Sequence, residues 1–237
     1  MEGMNKYTLI SVHLPKTAGV SFGRLLADFF KDSYLTDYQD FSMHKKKIIR
    51  KIQIINFIIR NLFKIKRGVC IHGHFFPIKY SLLNYDKNIK YAVWLRNPVE
   101  RLASHYYYWK RTYNKEKSLP LHKKVIEENW TLEDFCFCKE LRNIYTQYLW
   151  GFKLEKFNFI GITEFYNEDI KFFSKYFLND DGKVYHENIN NEVNNKKYIL
   201  NPDLITKIEK FHQKDVILYR KALVMRASRL KSVKSNE

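Results

Sequence analysis

The chain has 237 residues, with 42 Lys plus Arg against 25 Asp plus Glu, a formal charge of +17, and 45% hydrophobic and 16% aromatic residues. A chain so rich in Phe, Tyr and Ile can bury a sizeable core, which excludes a disordered polyelectrolyte. Its three cysteines, at 70, 136 and 138, exclude a disulfide scaffold and fit a reducing compartment. No apolar run reaches the ~20 residues that cross a bilayer and no leader pattern opens the chain, so the expected location is cytoplasmic, with peripheral contact to a membrane left open.

In chain order, Thr8 to His13 reads as a short buried strand and Pro15 to Gly19 as a turn. Phe22, Leu25, Leu26, Phe29 and Phe30 then fall on one face of a helix. Lys45 to Lys66 is a basic, Ile-rich helix candidate, ended by Gly68, and Val69-Cys70-Ile71 is a strand. Tyr91 to Leu95 is another, closed by Asn97-Pro98, with a helix behind it that puts Val99, Leu102, Ala103 and Tyr106 on one face. Thr131 and Asp134 form a capping-box pattern, with a helix running toward Gly151 as C-cap. Phe157 to Ile162 is a strand, Glu168 to Phe177 a helix, and Asn179 to Asn195 a polar loop. Asn201-Pro202 caps one long C-terminal helix, and the basic tail from Arg229 to residue 237 is expected to fray. Strands alternating with helices predict a single α/β domain, P-loop-like, with a central mostly parallel sheet flanked by helices.

The charge is uneven. From Phe41 to Tyr85 there are ten Lys or Arg and no Asp or Glu. Such a surface attracts an anion, whether nucleotide, acidic glycan, anionic lipid or nucleic acid; compositional drift toward Lys would produce the same run.

The segment His13-Leu14-Pro15-Lys16-Thr17-Ala18-Gly19-Val20-Ser21-Phe22 sits where a strand gives way to a helix. Backbone N–H groups at a helix N-terminus hold phosphate; Gly19 lets a ligand approach, Lys16 adds a full charge, and Thr17 and Ser21 add hydroxyls. A plain turn with a surface lysine would look similar. The Walker A order is absent, because Lys16 precedes the glycine, and this speaks against a small-molecule kinase on the same scaffold. In the second segment, Leu95 to Tyr106, Arg96 ends a strand and Ser104 lies two helical turns on; together they can grip one phosphate from two sides, or else serve the sheet end and the helix packing. His72 and His74 flank Gly73 just after a strand and, in extended chain, share a face. A histidine is the usual general base near neutral pH. Cys136-Phe137-Cys138 lacks the spacing of a zinc site. His13 and His105 flank the phosphate segments as packing residues, and Phe22 belongs to the apolar helix face. Asn143 and Gln147, four apart, could face a ligand or bond the helix surface. Tyr106-Tyr107-Tyr108-Trp109 could stack on a sugar ring, with half of the cluster in the core.

PKTAGVSF, followed 80 residues later by LRNPVERLASHY, resembles the sulfotransferases that use 3′-phosphoadenosine 5′-phosphosulfate (PAPS), and the form PKTAG-x-S is similar to their carbohydrate branch, which includes the heparan and uronyl 2-O-sulfotransferases and bacterial relatives. Fainter echoes lie at Gly73-His74, 143–149, 159–164 and 215–219. The resemblance implies that Lys16, Thr17, Ala18, Gly19, Val20 and Ser21 hold the 5′-phosphosulfate, that Arg96 and Ser104 hold the 3′-phosphate, and that His72 or His74 is the base, His72 being the first choice, with Lys16 at the leaving oxygen. It implies a carbohydrate acceptor, an acidic or lipid-linked glycan to which the basic stretch from Lys45 to Arg67 would be attracted. It gives no role to a metal or to nucleic acid. The family usually carries Thr where this chain has Val20, which leaves Ser21 and the backbone to make that contact. A basic module for nucleic acid or membrane is the other alternative, but it gives no reason for Lys16, Gly19, Arg96 and Ser104 to stand at these junctions.

Overall fold

A computed structural model describes residues 7–38, 40, 47–61, 68–81, 88–180, 183–185 and 201–234. Five strands, β1 (Thr8–Val12), β2 (Tyr34–Thr36), β3 (Cys70–Gly73), β4 (Ile89–Leu95) and β5 (Phe159–Ile162), form one sheet in the order β2-β3-β1-β4-β5. All four pairings are parallel. A parallel sheet needs crossovers that cover both faces, and the strand sequences supply apolar side chains to both. Leu9, Cys70, Ala92, Trp94 and Phe159 enter one core layer. Their neighbours Ile10, Val12, Ile71, Val93, Leu95 and Ile160 enter the other.

The first layer is closed by α1 (Gly19–Phe30), whose Phe22, Leu25, Leu26 and Phe30 are buried as the periodicity predicts, and by α8 (Tyr166–Phe173), which continues as a π turn over Ser174–Leu178. The opposite layer is closed by α7 (Ile144–Tyr148) and α10 (Gln213–Lys234). A third cluster joins α4 (Pro98–Thr112), α5 (Pro120–Glu127), α6 (Leu132–Cys136) and α9 (Pro202–Phe211). On α4 the expected face, Val99, Leu102, Ala103 and Tyr106, is buried. The helices α2 (Lys47–Asn61) and α3 (Ile78–Ser81) complete the chain. Among the described residues no helix is long and apolar enough to cross a membrane, and the three cysteines are buried and unbridged.

The sequence misjudges continuity in three places. The helix expected from Thr131 to Gly151 has its capping box, but it stops at Cys136; a 3-10 turn over Lys139–Leu141 and α7 follow. Asn143 takes left-handed φ 55°, its N–H bonding His212 Nδ1 and its Oδ1 accepting from the Asp215 N–H, so tertiary bonds break the helix there. The long C-terminal helix is two, divided at His212, whose Nε2 bonds the Cys136 carbonyl. Its last stretch does not fray from Arg229. The helix runs to Lys234, and Arg229 bonds Asp169 and the Ile160 carbonyl; residues 235–237 lie outside the described residues. Most of the Asn179–Asn195 loop, and residues 45, 46 and 62–67 of the basic stretch, also lie outside them.

Asp169 ties the C-terminus to the sheet. It is fully buried and accepts from the Ile162 N–H (2.8 Å), Arg226 Nε (2.9 Å) and Arg229 Nη2 (2.6 Å). Burial raises its carboxyl pKa, opposed by the Ile162 amide and the two arginines.

Candidate active site

In the strand order, β3 and β4 lie on either side of β1 although they are consecutive strands in the chain. Such reversals open a crevice at the carboxyl ends of the strands, where α/β proteins bind ligands. The three loops leaving β1, β3 and β4 are the three that carry the residues singled out in the sequence. In the β1–β4 register Val12 pairs with Val93, so Lys16 and Arg96 follow the carboxyl ends of neighbouring strands.

In the loop after β1, Lys16 (φ 64°) and Ala18 (φ 62°) are both left-handed, a conformation rare for residues with a Cβ and typical of concave backbone nests that bind anions. Ala18 is the N-cap of α1 and supplies no side-chain cap, and the first amides of a helix have no partner within the helix. Thr17 is buried and its hydroxyl donates to the Leu14 carbonyl at 2.9 Å, bracing the loop. Val20 is half exposed, whereas Ser21 is buried beside Tyr166. A Cβ at Gly19 would overlap the His13 imidazole, so glycine is needed there for close packing.

Lys16 Nζ lies 3.8 Å from the centre of the Tyr108 ring. Burial lowers its pKa to about 8, and Arg111 and Arg96 push the same way. Residues 101, 104, 108 and 111 form one stripe of α4 at helical spacing, which places Ser104, 8% exposed, on the face that meets Lys16. The sequence did not single out Tyr108 as a partner of Lys16, or Arg111; their spacing from Ser104 was the available signal. Arg96 is largely buried and pairs with Glu100 one helical turn on, at 3.6 Å. Asn97 caps α4 by accepting from the Val99 and Glu100 amides.

The histidines of β3 separate. His72 is 1% exposed, with Nδ1 2.8 Å from Ser11 Oγ. A Cβ on Gly23 of α1 would stand 2.8 Å from its Nε2, which makes no hydrogen bond of full geometry among the described residues. Burial depresses its pKa to about 3, helped by His74 and opposed by the Gly19 backbone. His74, just past the strand, is partly exposed. Its Nδ1 bonds the His13 carbonyl, and a carbonyl only accepts, so the proton sits on Nδ1 and Nε2 is the basic nitrogen. Burial also lowers the His74 pKa. The His13 ring lies 5.1 Å from that of His72 and 4.3 Å from that of His74. Gly73 admits the Asp37 carbonyl where a Cβ would be. Asp37 and Asp40 donate backbone N–H groups to the His72 and His74 carbonyls, and their carboxylates hold the buried Lys79 at 2.6 and 3.2 Å.

Other candidates are structural. His105 is buried between Trp109 and Phe135. Phe22 packs against Trp94 and Phe173. Gln147 donates to the Arg142 carbonyl at 2.6 Å. Of the aromatic run, Tyr106 and Trp109 are core and Tyr107 and Tyr108 half-buried. Among the described residues no three His, Cys, Asp or Glu side chains are grouped to hold a metal ion.

Fold and site define an α/β protein with a five-stranded parallel sheet whose Lys16 and Arg96 follow the carboxyl ends of neighbouring strands. No family model and no curated protein match the chain. Among solved structures it is similar to a sulfotransferase from Alicyclobacillus acidocaldarius, with 17% identity, 89% of this chain and 93% of that chain covered, and a TM-score of 0.43. At that score the likeness carries no weight for the chemistry.

Proposed function

We propose that the protein is a PAPS-dependent sulfotransferase that acts on a hydroxyl of a carbohydrate. The observation that carries this reading is the adjacency of Lys16 and Arg96 after neighbouring parallel strand ends, where the Arg96 charge helps to lower the Lys16 pKa, beside a helix N-terminus without a side-chain cap. That arrangement suits a ligand with two separated anionic ends, and the residues match the two phosphate motifs in the sequence. The donor, when bound, supplies an activated sulfuryl group.

The backbone from Lys16 to Ser21 would hold the 5′ end, while Arg96 and Ser104 would hold the 3′-phosphate. Lys16 is placed to neutralise charge on the leaving oxygen, where a cation lowers the barrier most. His74, rather than His72, is the general base: its Nε2 takes the proton of the acceptor hydroxyl while Nδ1–H stays on the His13 carbonyl. His72, sealed behind α1, positions the strand. Isothermal titration with 3′-phosphoadenosine 5′-phosphate (PAP) tests the donor pocket. Transfer of radiolabel from PAPS to a panel of glycans tests the acceptor class, and the absence of transfer to any glycan would refute it.

A further inference from the structure

Helix α2 has two apolar faces, and among the described residues only one is packed. Ile54 is buried, and Phe57 sets its ring 5.9 Å from that of Tyr80. On the other side Ile48, Ile52, Ile55 and Ile59, spaced four, three and four residues apart, form one stripe and are 62%, 51%, 54% and 63% exposed. Ile49, 44% exposed, widens it. Single exposed aliphatics are ordinary, but a continuous row over three turns marks a contact surface.

We propose that this stripe docks the protein on an anionic lipid surface. The choice of occupant follows from charge. The segment from 41 to 85 carries ten Lys or Arg and no acid, and the helix sequence itself includes Lys47, Arg50, Lys51 and Arg60. A second copy seated on the stripe would bring two such segments together and be repelled, whereas anionic headgroups complement them. Fifteen helical residues extend about 22 Å, too short to span a bilayer and suited to lying in its interface, with the isoleucines below the headgroups. Through Phe57 the helix rests on Lys79, whose ammonium lies 4.1 Å from the ring centre, and Lys79 holds Asp37 and Asp40 beside the His74 strand. The packed face of the helix, opposite the stripe, therefore meets the Asp37–Lys79 cluster beside β3. This inference stands independently of the sulfotransferase reading.

The test is co-sedimentation of the full chain, at physiological salt, with phosphatidylcholine vesicles with and without phosphatidylglycerol. The wild type is expected to pellet only with the anionic vesicles. The I48S/I52S/I55S/I59S variant keeps every charge and is expected to partition at least ~100-fold more weakly; all four positions are exposed, so its far-UV circular dichroism should match the wild type. The single I52D variant repeats the test if the quadruple variant unfolds. Wild type left in the supernatant, equal pelleting with neutral vesicles, or undiminished binding by the variant would overturn the proposal. So would a wild-type dimer in analytical ultracentrifugation that the same substitutions dissociate.

Discussion

The Tyr145 hydroxyl closes on both backbone polar groups of Arg96. It donates to the Arg96 carbonyl at 2.7 Å and accepts from the Arg96 N–H at 3.2 Å. Tyr145 in turn stands at the start of α7, where the buried Asp215 carboxylate accepts from its N–H at 3.0 Å. Arg96 is thus fixed from its own main chain. Tyr145→Phe leaves two buried backbone groups unpaired, and it should lower stability by about 1–3 kcal/mol in urea unfolding and weaken PAP binding. Unchanged PAP affinity would show that the hydroxyl does not position Arg96.

Lys16 predicts a pH dependence of donor binding. With its pKa near 8 in the ligand-free protein, the lysine is cationic below that pH and neutral above it. A bound anion favours the cation, so binding takes up a proton, on the order of half a proton per site at pH 8, and affinity falls as pH rises through 8. Calorimetry in buffers of different ionisation heat reads that uptake. In Lys16→Met the uptake disappears; if it persisted, another group would be responsible. For folding the sign is opposite: between about 8 and the ordinary 10.5 the unfolded chain binds more protons, so stability contributed by this residue rises with pH.

His74 and His72 should part company on substitution. His74→Ala is expected to reduce sulfuryl transfer at least ~100-fold and leave PAP affinity intact. Because burial holds the His74 pKa below 6.5, the acid limb of the wild-type rate profile lies below that pH. His72→Ala strips Ser11 of its partner and opens a cavity under α1, with an expected loss of about 1–3 kcal/mol in stability. Wild-type turnover in His74→Ala would remove its assignment as the base.

Asp169 predicts the largest effect on stability. Asp169→Ala leaves two arginines without their buried acceptor and frees the Ile162 N–H, and loss of one partner from such a cluster typically costs about 3–5 kcal/mol. Urea denaturation measures it, and a change below about 1 kcal/mol would mean that α10 is held by packing alone.

What could be read from the sequence was local. The loop at 13–21 stood out because a lysine, a glycine and hydroxyls meet a strand-to-helix junction, and the α1 and α4 faces follow from spacing alone. Strand β2 was hidden because Tyr34–Thr36 is three residues long and its Leu35 is half exposed. The break at Asn143 and the clasp of Tyr145 on Arg96 depend on partners 49 to 72 residues away, which no window of sequence brings together. The two histidines of 72–74 looked alike because alternation puts both on one face. What separates them is the helix lying over only one, through Gly23.

Calorimetric titration of PAP into the wild type, Lys16→Ala and Arg96→Ala is the decisive measurement. A pocket shared by the two strand ends predicts saturable binding of one PAP per wild-type chain, with a marked loss of affinity in each variant. No heat from the wild type, or the same affinity in all three proteins, would contradict it.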